Sequence, residues 1–140
     1  MPMVKVMVFG TFDPLHPGHV DFFRQAKTHG DTLVVVVARD STVEKTKGRK
    51  PSLGENERLA AVQAQRGVDR AVLGYEGDVY KIIKEEKPDV ICLGYDQTHF
   101  TDKLEAKLQE FKLTTKIIRL EAHQPDIYKS SKIRERATRA

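Results

Sequence analysis

The chain has 140 residues, with 24 Lys and Arg against 20 Asp and Glu and a net charge of +4. Its length suits one domain over residues 1–140, able to bury roughly two-thirds of its unfolded surface without covalent staples. Cys92 is the single cysteine, which excludes an internal disulfide and fits a reducing cytoplasm, and with neither a leader nor an apolar run near the ~20 residues of a spanning helix visible, a soluble, intracellular protein is expected.

The elements read in alternation. Val4–Phe9 is a short apolar run and reads as a first strand. Val20, Phe23 and Ala26 then recur at helical spacing, with Gly30 as the expected C-cap. Thr32–Ala38 contains five consecutive branched apolar residues from Leu33 to Val37 and reads as a strand buried on both faces. Arg39–Leu53 shows no apolar period and is expected to be an irregular loop, long enough to be functional. Ser52 and Glu55 form an S-x-x-E capping pattern before Leu59, Ala60 and Val62. Val68–Leu73 is a third strand, and Asp78 is placed to cap a helix over Val79–Glu86 that Pro88 ends. Asp89–Leu93 and Lys116–Leu120 are the fourth and fifth strands, flanking a helical stripe of Leu104, Leu108 and Phe111. Ser130–Arg139 reads as a polar, basic terminal helix.

Strict alternation requires crossover connections, because parallel neighbours cannot be joined by tight turns. The expected fold class is therefore α/β, a Rossmann-like, doubly wound, five-stranded parallel sheet with helices on both faces. If the strand order is 3-2-1-4-5, ligands gather at the carboxyl ends of the first and fourth strands. The loops there are "GTFDPLHPGH" and "LGYDQTHF".

Neither a G-x-x-x-x-G-K-[ST] loop nor a G-x-G-x-x-G fingerprint is present. In their place stands His16-Pro17-Gly18-His19 at a helix start. Pro17 fits the first helical turn, Gly18 admits close approach of a ligand, and the free N–H groups there favour an anion. Two imidazoles three residues apart can face one side of that turn and donate hydrogen bonds to phosphate oxygens. Taken alone, such a pair is more often an ordinary turn. The basic run Lys45, Lys47, Arg49 and Lys50 is by itself a solvated loop as readily as a phosphate clamp. Ser130 and Ser131 could be a helix cap, and His29, His99 and His123 read as ordinary histidines.

"GTFDPLHPGH" resembles the G-[TV]-F-D-x-x-H-x-G-H signature of the cytidylyltransferase-like nucleotidyltransferases. "ARD" at 38–40, "EKTKGRKP" at 44–51, "ENERLAAV" with Arg58 and "YKSSKIRE" at 128–135 match the family's later motifs in order. Within that superfamily, "VARDSTVEKTKGRKP" with "LGYDQTHF" and "YKSS" is most similar to the archaeal FAD synthases. The resemblance implies transfer of AMP from ATP to FMN, with His16, His19 and Lys47 in catalytic roles. It implies that Gly10, Thr11, Phe12, Pro17, Gly18, Lys45, Arg58, Gly94, Asp96, Tyr128, Ser130 and Ser131 help to bind the nucleotide. Lys45, Lys47 and Arg58 would hold the β- and γ-phosphates, and a divalent ion, Mg²⁺ for preference, would accompany the triphosphate without a dedicated protein metal site.

A phosphate nucleophile is ionised at neutral pH and needs no general base, which accounts for the lack of a Ser-His-Asp set or carboxylate pair. Glycerol-3-phosphate cytidylyltransferase and heptose-type sugar-phosphate adenylyltransferase are the alternatives. A nucleotide- or nucleic-acid-binding module without chemistry is the non-enzymatic one, disfavoured because a salt-dependent clamp has no use for the histidine pair. No membrane partner is expected, and a homodimer is left open.

Overall fold

The computed structural model describes residues 3–94, 97 and 103–121. The elements are β1 (Lys5–Gly10), α1 (Pro17–Lys27), β2 (Thr32–Val37), α2 (Asp40–Lys47), α3 (Glu55–Gln63), β3 (Arg70–Leu73), α4 (Lys81–Glu86), β4 (Val90–Leu93), α5 (Leu104–Glu110) and β5 (Lys116–Arg119). The five strands pair in parallel in the order β3-β2-β1-β4-β5, as the alternation and the assumed switch point required.

Alternate residues of the central strands feed two cores. Val6 and Val8 of β1, Leu33, Val35 and Val37 of β2, and Val90 and Cys92 of β4 pack against Phe23 and Ala26 of α1 and Val62 of α3. Met7, Val34, Val36, Ile91 and Leu93 point the other way, onto Ile82 and Ile83 of α4 and Leu104 and Leu108 of α5. Burial on both faces explains why β2 is an unbroken valine run rather than an alternating one.

The sheet edge opposite the strand carboxyl ends is pinned by a repeated device. Asp31, Asp69 and Asp89 each directly precede a strand. Each carboxylate accepts a neighbouring strand's amide: Val4 N–H on Asp31, Leu33 N–H on Asp69 and Lys5 N–H on Asp89, all at 2.8 Å. Each aspartate amide donates back to the carbonyl of the same partner residue. Lys27 also bonds Asp69, and with the Leu33 amide it holds that carboxyl below its ordinary range.

Several local expectations are corrected. Residues 39–53 are not irregular throughout, because Asp40–Lys47 forms α2, ended by Gly48 in the left-handed region at φ 76°. Val43 is its buried apolar residue, so no stripe exists for a periodicity argument to find. α3 is entered through Gly54, whose N–H bonds Glu57 Oε1 at 3.1 Å, and not through a Ser52–Glu55 box. α1 ends at Lys27 with Thr28, not Gly30, as its C-cap. Gly30 lies against β1, where a Cβ would come within 2.6 Å of Val6. Val20 is 46% exposed and is not part of the α1 core face. Asp78 accepts the Tyr80 N–H at 3.0 Å, but α4 starts at Lys81 and leaves Val79 free to line a cavity. The expected terminal helix lies outside the described residues.

Candidate active site

A cavity of about 430 Å³ opens at the carboxyl ends of β1, β2 and β3. Its lining includes the end of β1, Phe9 and Gly10, and the turn that follows, Thr11, Phe12, Asp13 and Pro14. One wall is α2 and the residues after it, contributing Thr42, Val43, Thr46, Lys47 and Arg49. Gly74, Tyr75 and Val79, beyond β3, close one end, and His19 and Gln97 also reach it.

The turn after β1 is shaped by close packing. Phe12 adopts the left-handed region at φ 58°, uncommon for a large residue, and folds its ring inward. That ring passes directly over Gly10, where a Cβ would stand 2.5 Å from it. It then meets the His19 ring edge-on, with centroids 5.0 Å apart, and tilts against Phe23. Gly10 is therefore required by Phe12, and Phe12 supports His19 from the core side.

His16 is the N-cap of α1, and Pro17 is the first helical residue. His16 Nδ1 accepts the Gly18 N–H at 3.1 Å, while the His16 N–H donates to His19 Nδ1 at 3.3 Å. The two rings stack at 3.8 Å with an interplanar angle of 25°. An Nδ1 that accepts carries no proton, so this network assigns the ring proton of each histidine to Nε2. Gly18 leaves room for the His16 ring, since a Cβ there would lie 2.9 Å from His16 Cε1. Burial, then the proximity of His16, then the Lys47 ammonium push the His19 pKa down to about 3. His19 is thus a neutral donor near pH 7.

The lysine segment divides. Lys47 and Arg49 line the cavity, whereas Lys45 is exposed and does not. Asp13 holds the chain that returns from α2, its two carboxylate oxygens accepting the Ser52 and Leu53 amides at 2.7 and 2.8 Å.

Arg58 departs from expectation. It is fully buried and its guanidinium is directed at protein acceptors, not at the cavity. A helix arginine beside a phosphate site reads as a ligand contact, yet here the strand ends offer carbonyls that capture it. Gly94 also stays off the cavity wall, its N–H bonded to Gln97 Oε1 and its carbonyl to Arg119. Asp96, Tyr128, Ser130 and Ser131 lie outside the described residues.

Thr42, Thr46, Arg39 and Tyr75 were not singled out from sequence as binding groups. Arg39 donates Nε to the Gly74 carbonyl at 2.6 Å and pairs with Glu55, which fixes it at the cavity edge. A helix over 40–47 would have set Thr42 above Thr46 and Val43 above Lys47 by their i,i+4 spacing, but the apolar signal for that helix was missing.

The model of the Cytidylyltransferase-like family matches residues 7–136, from inside β1 through the histidine turn and the cavity wall. This chain belongs to the cytidylyltransferase-like family. Among other members, it is 44% identical to the FAD synthase of Thermoplasma volcanium over 96% of this chain and 94% of that protein. It is 48% identical to the FAD synthase of Aciduliprofundum boonei, over 86% and 80% of the two chains. A crystal structure of a lipopolysaccharide core biosynthesis protein from Thermoplasma volcanium superposes with a TM-score of 0.82 at 46% identity, covering 88% of this chain and all of that one. A pantoate-beta-alanine ligase from Francisella tularensis shares the fold at a TM-score of 0.62 and 16% identity, over 88% of this chain and 61% of its own.

Proposed function

We propose that this protein is an adenylyltransferase that joins ATP and FMN to give FAD and pyrophosphate. The observation that carries the chemistry is the stacked imidazole pair at the start of α1, whose Nδ1 atoms both accept backbone N–H groups and of which His19 lines the cavity, with Lys47 close enough to act on it. The similarity to FAD synthases over nearly the whole chain supports the choice of acceptor.

In this reading the FMN phosphate oxygen attacks the α-phosphorus of ATP and the bond to the β-phosphate oxygen breaks in line. No proton need be removed from the nucleophile, so catalysis rests on positioning and on charge stabilisation. The amides at the N-terminus of α1 and the two imidazoles act where charge grows on the α- and β-phosphates. A neutral His19 suits that role, because it is already the donor and need not gain a proton first. Lys47, with Arg49 beside the same cavity, offsets charge on the departing pyrophosphate. The cavity, whose lining includes Val36, Val43, Tyr75 and Val79, is large enough to take a planar ring.

Among the described residues no group of three or more His, Cys, Asp or Glu could hold a metal ion. The donor chemistry here fits an ion carried by the nucleotide: Mg²⁺ bound to the triphosphate would neutralise phosphate charge.

The test is product formation in a matrix of ATP or CTP against FMN, glycerol 3-phosphate and a heptose phosphate, with Mg²⁺ present. FAD and pyrophosphate in equal amounts from ATP and FMN are expected, with the other pairs at least tenfold slower. The crystal structure of a similar protein named for lipopolysaccharide core biosynthesis makes the sugar-phosphate arm the informative competitor. Faster turnover in that arm, or with CTP and glycerol 3-phosphate, refutes the acceptor assignment.

A further inference from the structure

α3 contributes an arginine that sits beneath the cavity wall. Arg58 has no solvent exposure. Its Nε donates to the Leu53 carbonyl at 2.9 Å, its Nη1 to the Thr11 and Ala38 carbonyls at 3.0 and 2.7 Å, and its Nη2 to Asp40 Oδ1 at 2.7 Å. A guanidinium has about five N–H groups, so this set leaves at most one for anything else. Its acceptors belong to four separate pieces of the site: the turn after β1, the end of β2, the first residue of α2 and the return loop held by Asp13. Burying a charge with no carboxylate and few acceptors would cost several kcal/mol, so the full set of partners explains how the group is tolerated.

The same α3 supplies a second tie. Glu55 Oε1 accepts the Asp40 N–H at 2.9 Å, an anion at the N-terminus of α2. Asp40 is thus held through its amide by Glu55 and through its carboxylate by Arg58. α2 runs from this fixed residue to Lys47, two turns on, which faces the cavity.

We infer that Arg58 is a positioning residue: together with Asp40 it fixes the angle of α2, and so the place of Lys47, relative to the turn that carries Thr11 and the histidines. It does this without touching the triphosphate. The inference rests on the adenylyl-transfer reading only for its kinetic consequence.

The test uses Asp40→Ala, which removes one acceptor from a half-exposed position and leaves the three carbonyl bonds of Arg58 in place, together with Arg58→Lys. Three quantities are measured in the full chain: kcat for FAD formation, the ATP dissociation constant by calorimetry, and hydrogen exchange of the amides of residues 40–47. Asp40→Ala is expected to speed exchange across α2, to lower kcat about tenfold and to leave ATP binding within about twofold, since small misplacements of a catalytic group are costly. In a Lys47→Ala background the same substitution should have little further effect, because the group it misplaces is gone. Arg58→Lys should show the same pattern more strongly, and if it fails to fold, Asp40→Ala carries the test.

Independent, multiplying losses of kcat in the double variant would overturn the inference. So would weakened ATP binding with unchanged α2 exchange, the pattern of a direct phosphate contact. If the wild-type protein makes no FAD from ATP and FMN, the acceptor reading fails, and the clamp stands or falls on the exchange of α2 alone.

Discussion

Acid should act on this protein through His19. In the folded chain its pKa is about 3 against an ordinary 6.5, with burial as the first cause. The unfolded chain therefore takes up a proton as pH falls through 6.5, while the native chain does not follow until near 3. Stability from this group is complete above the unfolded value and is lost as pH drops toward the folded one. Between pH 7 and pH 4.5 the loss should be roughly 2–3 kcal/mol, at about 1.4 kcal/mol per unit. His19→Asn is the control. The Asn oxygen stands near the place of Nδ1 and can still accept the His16 N–H, but the side chain does not titrate. Urea midpoints of both proteins at the two pH values give the difference, in which titrating groups away from the histidine pair cancel and what remains belongs to His19 with its coupling to His16. Parallel losses, or a His19 ring resonance titrating near 6.5, would refute the reasoning. The same variant lacks the Nε2 donor, so at pH 7 it should keep its fold and lose roughly a hundredfold to a thousandfold in kcat.

Lys47→Ala should lower kcat by about a hundredfold, while Lys45→Ala and Lys50→Ala stay within about threefold, since neither lines the cavity; steady-state rates for the three variants decide it. Gly18→Ala should displace the His16 ring, because the new Cβ would stand 2.9 Å from it, and so cut activity more than it lowers the melting temperature. Cys92 is buried in β4 and burial pushes its thiol up to about 11, so iodoacetamide at pH 8 should leave the folded protein unmodified and active; rapid mass gain without unfolding would contradict that.

The sheet was legible because its signal is local. Leu33–Val37 could be little but a doubly buried strand, and alternation with helices left parallel pairing as the natural outcome. The histidine turn was legible from its composition and its place after β1. α2 was not, since one buried valine in eight residues carries no period. Arg58 was misread for a deeper reason. Its burial depends on carbonyls from Thr11 and Ala38, 47 and 20 residues away in sequence, and nothing near Arg58 announces them. The resemblance put both Lys45 and Lys47 on the phosphates, and the direction of the α2 face is what leaves Lys47 alone of the two on the cavity.

The three aspartates that precede β2, β3 and β4 have a consequence for how this fold can change. Each fixes register by a reciprocal pair of bonds at the strand's beginning, on the side away from the cavity. Strand alignment is thereby decided before the chain reaches the loops that meet substrate. Those loops are free to lengthen, shorten or exchange residues without a slip propagating into the sheet. The protein is built like a comb clamped along its spine, whose teeth can be recut one at a time to accept a different phosphorylated partner.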